Sequence, residues 1–162
     1  MIENEVKYVL KLDTKIPRLK PSHILQGYDR RGARVRMQDD KFTFNYKWKN
    51  GDSVEEFEKK ITKDEFDRCY ENCVDRLEKA RYTTKDESGN TWDIDFFYSE
   101  KERYFVMAEC ELVDPHAMGP EKILPMIEPF LEYIVPREDG SEFSSRKLSD
   151  PEYARQMLEE IK

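Results

Sequence analysis

MIENEVKYVLKL, residues Met1 to Leu12, sorts its side chains by parity: Ile2, Val6, Tyr8, Leu10 and Leu12 on one side, Glu3, Glu5, Lys7 and Lys11 on the other. Successive side chains of an extended chain point to opposite faces, so this stretch reads as a strand with one apolar and one charged face. Six more stretches repeat the pattern. In ARVRM, Arg34 and Arg36 alternate with Ala33, Val35 and Met37; in KFTFNYKWK, Lys47 and Lys49 alternate with Phe42, Phe44, Tyr46 and Trp48. EEFEKKI sets Glu56, Glu58 and Lys60 against Phe57 and Ile61, and EKARY sets Lys79 and Arg81 against Ala80 and Tyr82. TWDIDFF sets Asp93 and Asp95 against Trp92, Ile94 and Phe96; VMAECEL sets Glu109 and Glu111 against Val106, Ala108, Cys110 and Leu112.

Turn signals separate these runs at Lys49–Asp52 and Ser88–Asn90. Thr62 and Glu65 form a capping box, and Phe66, Cys69, Tyr70, Cys73, Val74 and Leu77 follow at helical spacing, which predicts a helix over about Lys63–Arg76. Pro125 and Pro129 break the apolar stripe of Ile123, Leu124, Ile127, Phe130 and Leu131 into short turns. Asp150 as N-cap and Pro151 at the first helical position start a tail helix with Tyr153, Met157, Leu158 and Ile161 on its apolar side.

One strand with a charged face is ordinarily a solvated strand. The sorting of sign is not explained that way. Arg34/Arg36 and Lys79/Arg81 are basic doublets, whereas Glu3/Glu5, Glu56/Glu58, Asp93/Asp95 and Glu109/Glu111 are acidic. Side chains two apart on a strand stand about 6.5 to 7 Å apart on one face, so each doublet repels itself unless a counter-ion lies between. Carboxylate doublets from two strands suit a hard divalent cation, and guanidinium and ammonium groups suit phosphate. An α+β fold follows: a closed, antiparallel, eight-stranded β-barrel with a charged interior and an apolar outside covered by three helical segments.

The 162 residues are long enough for one domain spanning 1–162. They are 39% charged, but 12% aromatics argue for a folded core rather than disorder. A formal net charge of −7 gives a nucleic-acid backbone no electrostatic reason to bind. Membrane-length apolar runs and a secretory leader are not seen, so a soluble, cytoplasmic protein is expected. The three cysteines match no zinc spacing and read as reduced, structural thiols, Cys69 and Cys73 in the core of the predicted helix. His23 and His116 fall off the charged parity and read as loop or surface residues, and Trp48 and Trp92 as outer-face core beneath the helices.

The same residues resemble the CYTH superfamily, the triphosphate tunnel metalloenzymes. That family opens with an apolar residue followed by ExExK, matched by IENEVK with Glu3, Glu5 and Lys7. LQGYDRRGARVRM, NYKW, EEFEKKI, LEKARY, GNTWDIDFF and MAECELVD are similar to its successive strands, in order, as far as about Leu112; VPREDGSEFSSRKL echoes its C-terminal segment loosely. Lys60 departs from the pattern, in which an acidic or neutral residue is common.

The resemblance implies a tunnel enzyme that uses Mg2+ or Mn2+ on a small-molecule triphosphate. It implies Glu3, Glu5, Glu109 and Glu111, assisted by Asp95, as metal ligands, and Arg34, Arg36, Lys47, Lys79 and Arg81 as the phosphate cradle. Glu3, Glu5, Lys7, Glu58 and Lys79 make up its catalytic set. Hydrolysis of inorganic tripolyphosphate is the expected reaction, because every charged doublet is assignable to metal or phosphate. Tyr46 and Trp48 lie on the parity opposite Lys47, which leaves rim residues such as Tyr28 to meet a base. Adenylyl cyclase, nucleoside or thiamine triphosphatase and a non-catalytic polyphosphate binder stand as alternatives, and a homodimer is compatible with the sequence.

Overall fold

The alternating stretches all form strands in the computed structural model, which describes residues 3–162; Ile2, expected on the apolar face of the first strand, lies outside them. The strands are β1 (Glu5–Leu10), β2 (Ser22–Tyr28), β3 (Arg34–Gln38), β4 (Lys41–Asn50), β5 (Ser53–Lys60), β6 (Asp75–Lys85), β7 (Thr91–Ser99), β8 (Glu102–Glu111) and β9 (Leu131–Ile134). They form one antiparallel sheet in the order β5-β4-β3-β2-β6-β7-β8-β1-β9.

This corrects the expected closed eight-stranded barrel. There are nine strands, and among the described residues no ladder joins β5 to β9. The sheet nonetheless curls far enough for Lys47 Nζ on β4 to donate to Glu3 Oε1, just before β1, at 2.7 Å. Side chains bridge where a ladder would otherwise close. The gap is occupied by the chain after β9: Val135 N–H donates to Lys7 O, and Lys7 Nζ donates to Gly140 O at 3.0 Å and Phe143 O at 3.2 Å.

The convex face carries the apolar parity. Tyr8, Trp92, Ile94, Phe96, Val106, Ala108 and Cys110 are buried there beneath Leu112, Leu124 and Ile127, with Tyr8 stacked on Trp92 at 5.3 Å. α1 (Lys63–Glu71), started by the expected capping box, sets Phe66 against Phe42 at 5.5 Å. It stops five residues earlier than expected. Val74 N–H donates to Tyr28 O, which draws the chain into the sheet, and Leu77 belongs to β6. Cys69 is therefore exposed and Cys73 half-buried, instead of both being core. Trp48 likewise departs from expectation: α1 does not reach the far end of β4, so Trp48 is 46% exposed, stacked on Tyr46 at 6.0 Å. His23 lies exposed on β2 beside Glu78, and His116 is exposed.

The C-terminal tail is placed differently from the sequence reading. α2 (Ser145–Leu148) and α3 (Pro151–Glu160) pack on the concave side. At one end of the sheet the charged parity gives way to Val9, Leu77, Phe97, Phe105 and Met107, and Phe143, Leu148, Ala154 and Met157 bury against them. Apolar surface leaves water at about 25 cal/mol per Å2, so these positions draw the tail inward. The concave face is thereby divided into a dry end and a charged end.

β2 and α1 meet at Gly27. A Cβ there would lie 2.6 Å from Cys73 Sγ, a clash. Gly27→Ala is expected to lower unfolding free energy in urea by about 1–3 kcal/mol, and Cys73→Ala in the same chain to recover part of it. Wild-type stability for Gly27→Ala would refute this contact.

Candidate active site

The pleat brings the charged doublets to one place. Along β1 and β8, Lys7 stands opposite Glu109 and Glu5 opposite Glu111; β7 adds Asp93 opposite Glu109. β3 contributes Arg34 and Arg36 and β6 Arg81, while Asn45, Lys47, Glu56 and Glu58 approach from β4 and β5 across the curl. They line a cavity of about 450 Å3, within the range of small-molecule sites.

Beneath the cavity lies a buried ionic triad. Asp95 is 1% exposed; its Oδ2 accepts from Lys79 Nζ at 2.8 Å and from Arg81 Nη2 at 2.8 Å, and its Oδ1 accepts from Arg81 Nε at 2.7 Å. Burial alone would push the Asp95 carboxyl up, but Lys79 and Arg81 outweigh it and hold it well below the usual carboxylate range. Burial brings the Lys79 ammonium down to about 8, against the pull of Asp95. Lys79 is fully buried, with its Nζ 5.4 Å from the Phe97 ring centre and 3.4 Å from Ser145 Oγ. The structure thus sets Lys79 and Asp95 below the cavity lining, where they fix Arg81.

On the basic wall Arg81 is paired with Asp95 and, at 3.5 Å, with Asp93, whereas Arg34 and Arg36 form no ion pair among the described residues. Arg36 Nε donates to Gln26 Oε1 at 2.7 Å, and Gln26 Nε2 donates to the Tyr28 hydroxyl at 2.6 Å. Burial, then Arg34 and Arg81 nearby, bring the Arg36 guanidinium down to about 10. Burial also lowers Arg34, whose buried Nε has no hydrogen-bond partner among the described residues. Three guanidiniums converging in this way are matched by an anion with several oxygens.

On the acidic wall, burial and the adjacent Glu109 push the Glu5 carboxyl up to about 7, and the two side chains hydrogen-bond. Glu5 is exposed on the cavity wall while protein encloses most of its surroundings. Glu3 is engaged by Lys47, and Glu111 is exposed and outside the cavity lining. Among the described residues no three His, Cys, Asp or Glu side chains are grouped to hold an ion unaided. The adjacent carboxylates of Glu5 and Glu109 nevertheless suit Mg2+, which is usually held by one or two carboxylates together with substrate phosphates and water.

Three polar cavity residues were not singled out from the sequence: Gln26, Asn45 and Ser145 line it beside the expected ones. Asn45 shares the parity of Lys47, and extending that parity would have found it. Gln26 lies on a strand without alternation, and Ser145 is brought in by the tail.

No family model and no curated protein matches the sequence. Among solved structures, the inorganic triphosphatase NE1496 superposes with a TM-score of 0.61 at 20% identity, over 92% of this chain and 95% of that one. The chain has the CYTH fold. A candidate adenylate cyclase of Bacillus halodurans superposes on this chain with a TM-score of 0.53 at 14% identity, over 70% of this chain and 82% of its own.

Proposed function

We propose that this CYTH-fold protein is a triphosphatase, dependent on Mg2+ or Mn2+, that hydrolyses inorganic tripolyphosphate or another small triphosphate. The observation that carries the reading is the convergence of Arg34, Arg36 and Arg81 on a cavity whose far wall holds Glu5 and Glu109. Arg34 and Arg36, guanidiniums without an ion-pair partner among the described residues, face a pair of carboxylates, an arrangement complementary to a polyphosphate accompanied by a divalent ion. The inorganic triphosphatase of the same fold supports it.

In this reading Arg34, Arg36, Lys47 and Arg81 hold the phosphate oxygens, and Lys79 and Asp95 keep Arg81 in position. Glu5 and Glu109 would hold the ion, with Glu3 and Glu111 at their flanks; bound there, it supplies further neutralisation of phosphoryl charge. Lys7 and Glu58 support the substrate from opposite walls. Glu58 orients a water in line with the terminal phosphorus. The water oxygen forms the new P–O bond as the bridging P–O bond breaks, pyrophosphate leaves with the electron pair, and the water's proton passes to Glu58 and then to solvent. Tyr46 and Trp48 stack outside the cavity, which leaves Tyr28 as the aromatic side chain of its lining.

The test is phosphate release from tripolyphosphate, ATP and thiamine triphosphate with Mg2+ or Mn2+, with cyclic nucleotide measured in the same samples. Tripolyphosphate is expected to have the highest catalytic efficiency, and chelation by EDTA to reduce release to background. Higher efficiency on ATP would overturn the substrate assignment, cyclic AMP the reaction, and undiminished turnover in EDTA the metal.

A further inference from the structure

Arg36 and Arg81 both face the cavity, and they are fixed in opposite ways. Arg81 lies against the Asp95 carboxylate, so its charge is compensated within the protein. Arg36 forms no ion pair among the described residues, and what it meets is an amide. Gln26 stands directly opposite it in the β2–β3 ladder and is fully buried. A guanidinium carries only donors, so the amide turns its oxygen to Arg36 Nε, at 2.7 Å, and its nitrogen is left in need of an acceptor. The Tyr28 hydroxyl supplies one, at 2.6 Å. Tyr28 in turn hydrogen-bonds with Ser145, and its ring centre lies 5.9 Å from the guanidinium of Arg146, whose Nε donates to Asp75 Oδ2 at 2.8 Å. The contacts behind Arg36 thus run from β2 to α2 and are anchored there.

A carboxylate at position 26 would hold the guanidinium too, but through a charge-assisted bond roughly twice as strong as a neutral one. An incoming phosphate oxygen would then have to compete with it. An amide orients the guanidinium without neutralising it. A long side chain loses rotamer freedom when an anion fixes it, and a guanidinium set in place beforehand spares the complex that loss. We propose that Gln26 is a positioning residue for phosphate binding: from a neutral side chain braced by Tyr28, it aims the Arg36 guanidinium into the cavity and leaves its charge for an oxygen of a small triphosphate. The inference rests on the triphosphatase reading and adds to it a residue that acts through Arg36.

The experiment measures calorimetric binding of sodium tripolyphosphate and phosphate release in Mg2+, for wild type and for variants at the two positions. Gln26→Glu keeps the shape, and the Tyr28 hydroxyl can donate where it now accepts, so its unfolding temperature is expected to stay at that of wild type. Its Kd for tripolyphosphate should nonetheless rise about 30-fold, because Arg36 is neutralised. Gln26→Met removes the acceptor and should raise Kd and KM about tenfold, with kcat within about threefold. Added to Arg36→Ala, the same Gln26→Met should change Kd by less than about twofold, because the group it acts through is gone. An equal effect of Gln26→Met in both backgrounds, or wild-type affinity in Gln26→Glu, would overturn the positioning role while leaving the triphosphatase reading intact. The expected binding pattern without phosphate release by wild type would keep the role and overturn the hydrolytic reading, and a wild type that binds no tripolyphosphate would overturn both.

Discussion

Asp95→Asn is expected to cost about 3–5 kcal/mol of unfolding free energy, the largest stability loss among substitutions at the site. The carboxylate is buried and both its oxygens accept from Lys79 and Arg81. An amide keeps the shape but removes the charge, leaving the fully buried Lys79 ammonium without its counter-ion. Urea unfolding at neutral pH measures the loss, and Asp95→Asn/Lys79→Met should restore part of it by removing the orphaned cation. A single variant within 1 kcal/mol of wild type, on the order of an exposed ion pair, would show that the triad is not dry. The acid limb follows from the same geometry. Because the folded carboxyl lies below its ordinary value of 3.8, its contribution is present above that pH and is lost as pH falls below it. Asp95→Asn should therefore show a shallower loss of stability between neutral pH and pH values below 3.8 than wild type does.

The largest functional effect is expected from the opposite wall. Glu5→Gln and Glu109→Gln should each reduce tripolyphosphate turnover on the order of 100- to 1,000-fold, the scale of removing a preorganised electrostatic group from a reacting centre. The fold should persist in both. Glu5 is raised to about 7 by burial and by Glu109, so replacing either carboxylate with an amide relieves repulsion in the metal-free protein. Thermal unfolding without metal is accordingly expected at wild-type temperature or above. Calorimetry with Mn2+ supplies the independent reading: both variants should bind the ion more weakly than wild type. Wild-type turnover together with wild-type Mn2+ affinity in either variant would remove that residue from the metal site.

Much of this arrangement was legible in the alternation of charge. Parity placed Arg34, Arg36, Lys47, Arg81, Glu5, Lys7, Glu58 and Glu109 on one face, and the sheet carries them to one cavity. Parity cannot give depth along a strand. Lys79 and Asp95 share that face with Arg81, yet they lie below the lining because the tail covers their end of the sheet. The tail's position was written in Val9, Leu77, Phe97, Phe105 and Met107, apolar residues on the charged parity, which are informative only when read across four strands at once. β2 escaped detection because SHILQGY does not alternate, and β9 because four residues are too few to show a period. Leu77 fitted the helical stripe of α1 by spacing alone; the bond from Val74 N–H to Tyr28 O that ends the stripe is a tertiary contact.

The order of strands also sets how the chain must find its shape. β2 through β8 can pair largely with near neighbours in sequence, whereas β1 is completed by strands far downstream: Glu5 meets Glu111 and Tyr8 meets Ile134. During synthesis at the ribosome, β1 emerges before β2 through β8, and its apolar face is unpartnered until β8 has followed it. Closing a loop of that length is entropically costly and slow, so this sheet belongs with topologies of high contact order. Its vulnerable interval is the time before β8 is made, when an unpaired strand of β-branched and aromatic residues is open to other nascent chains.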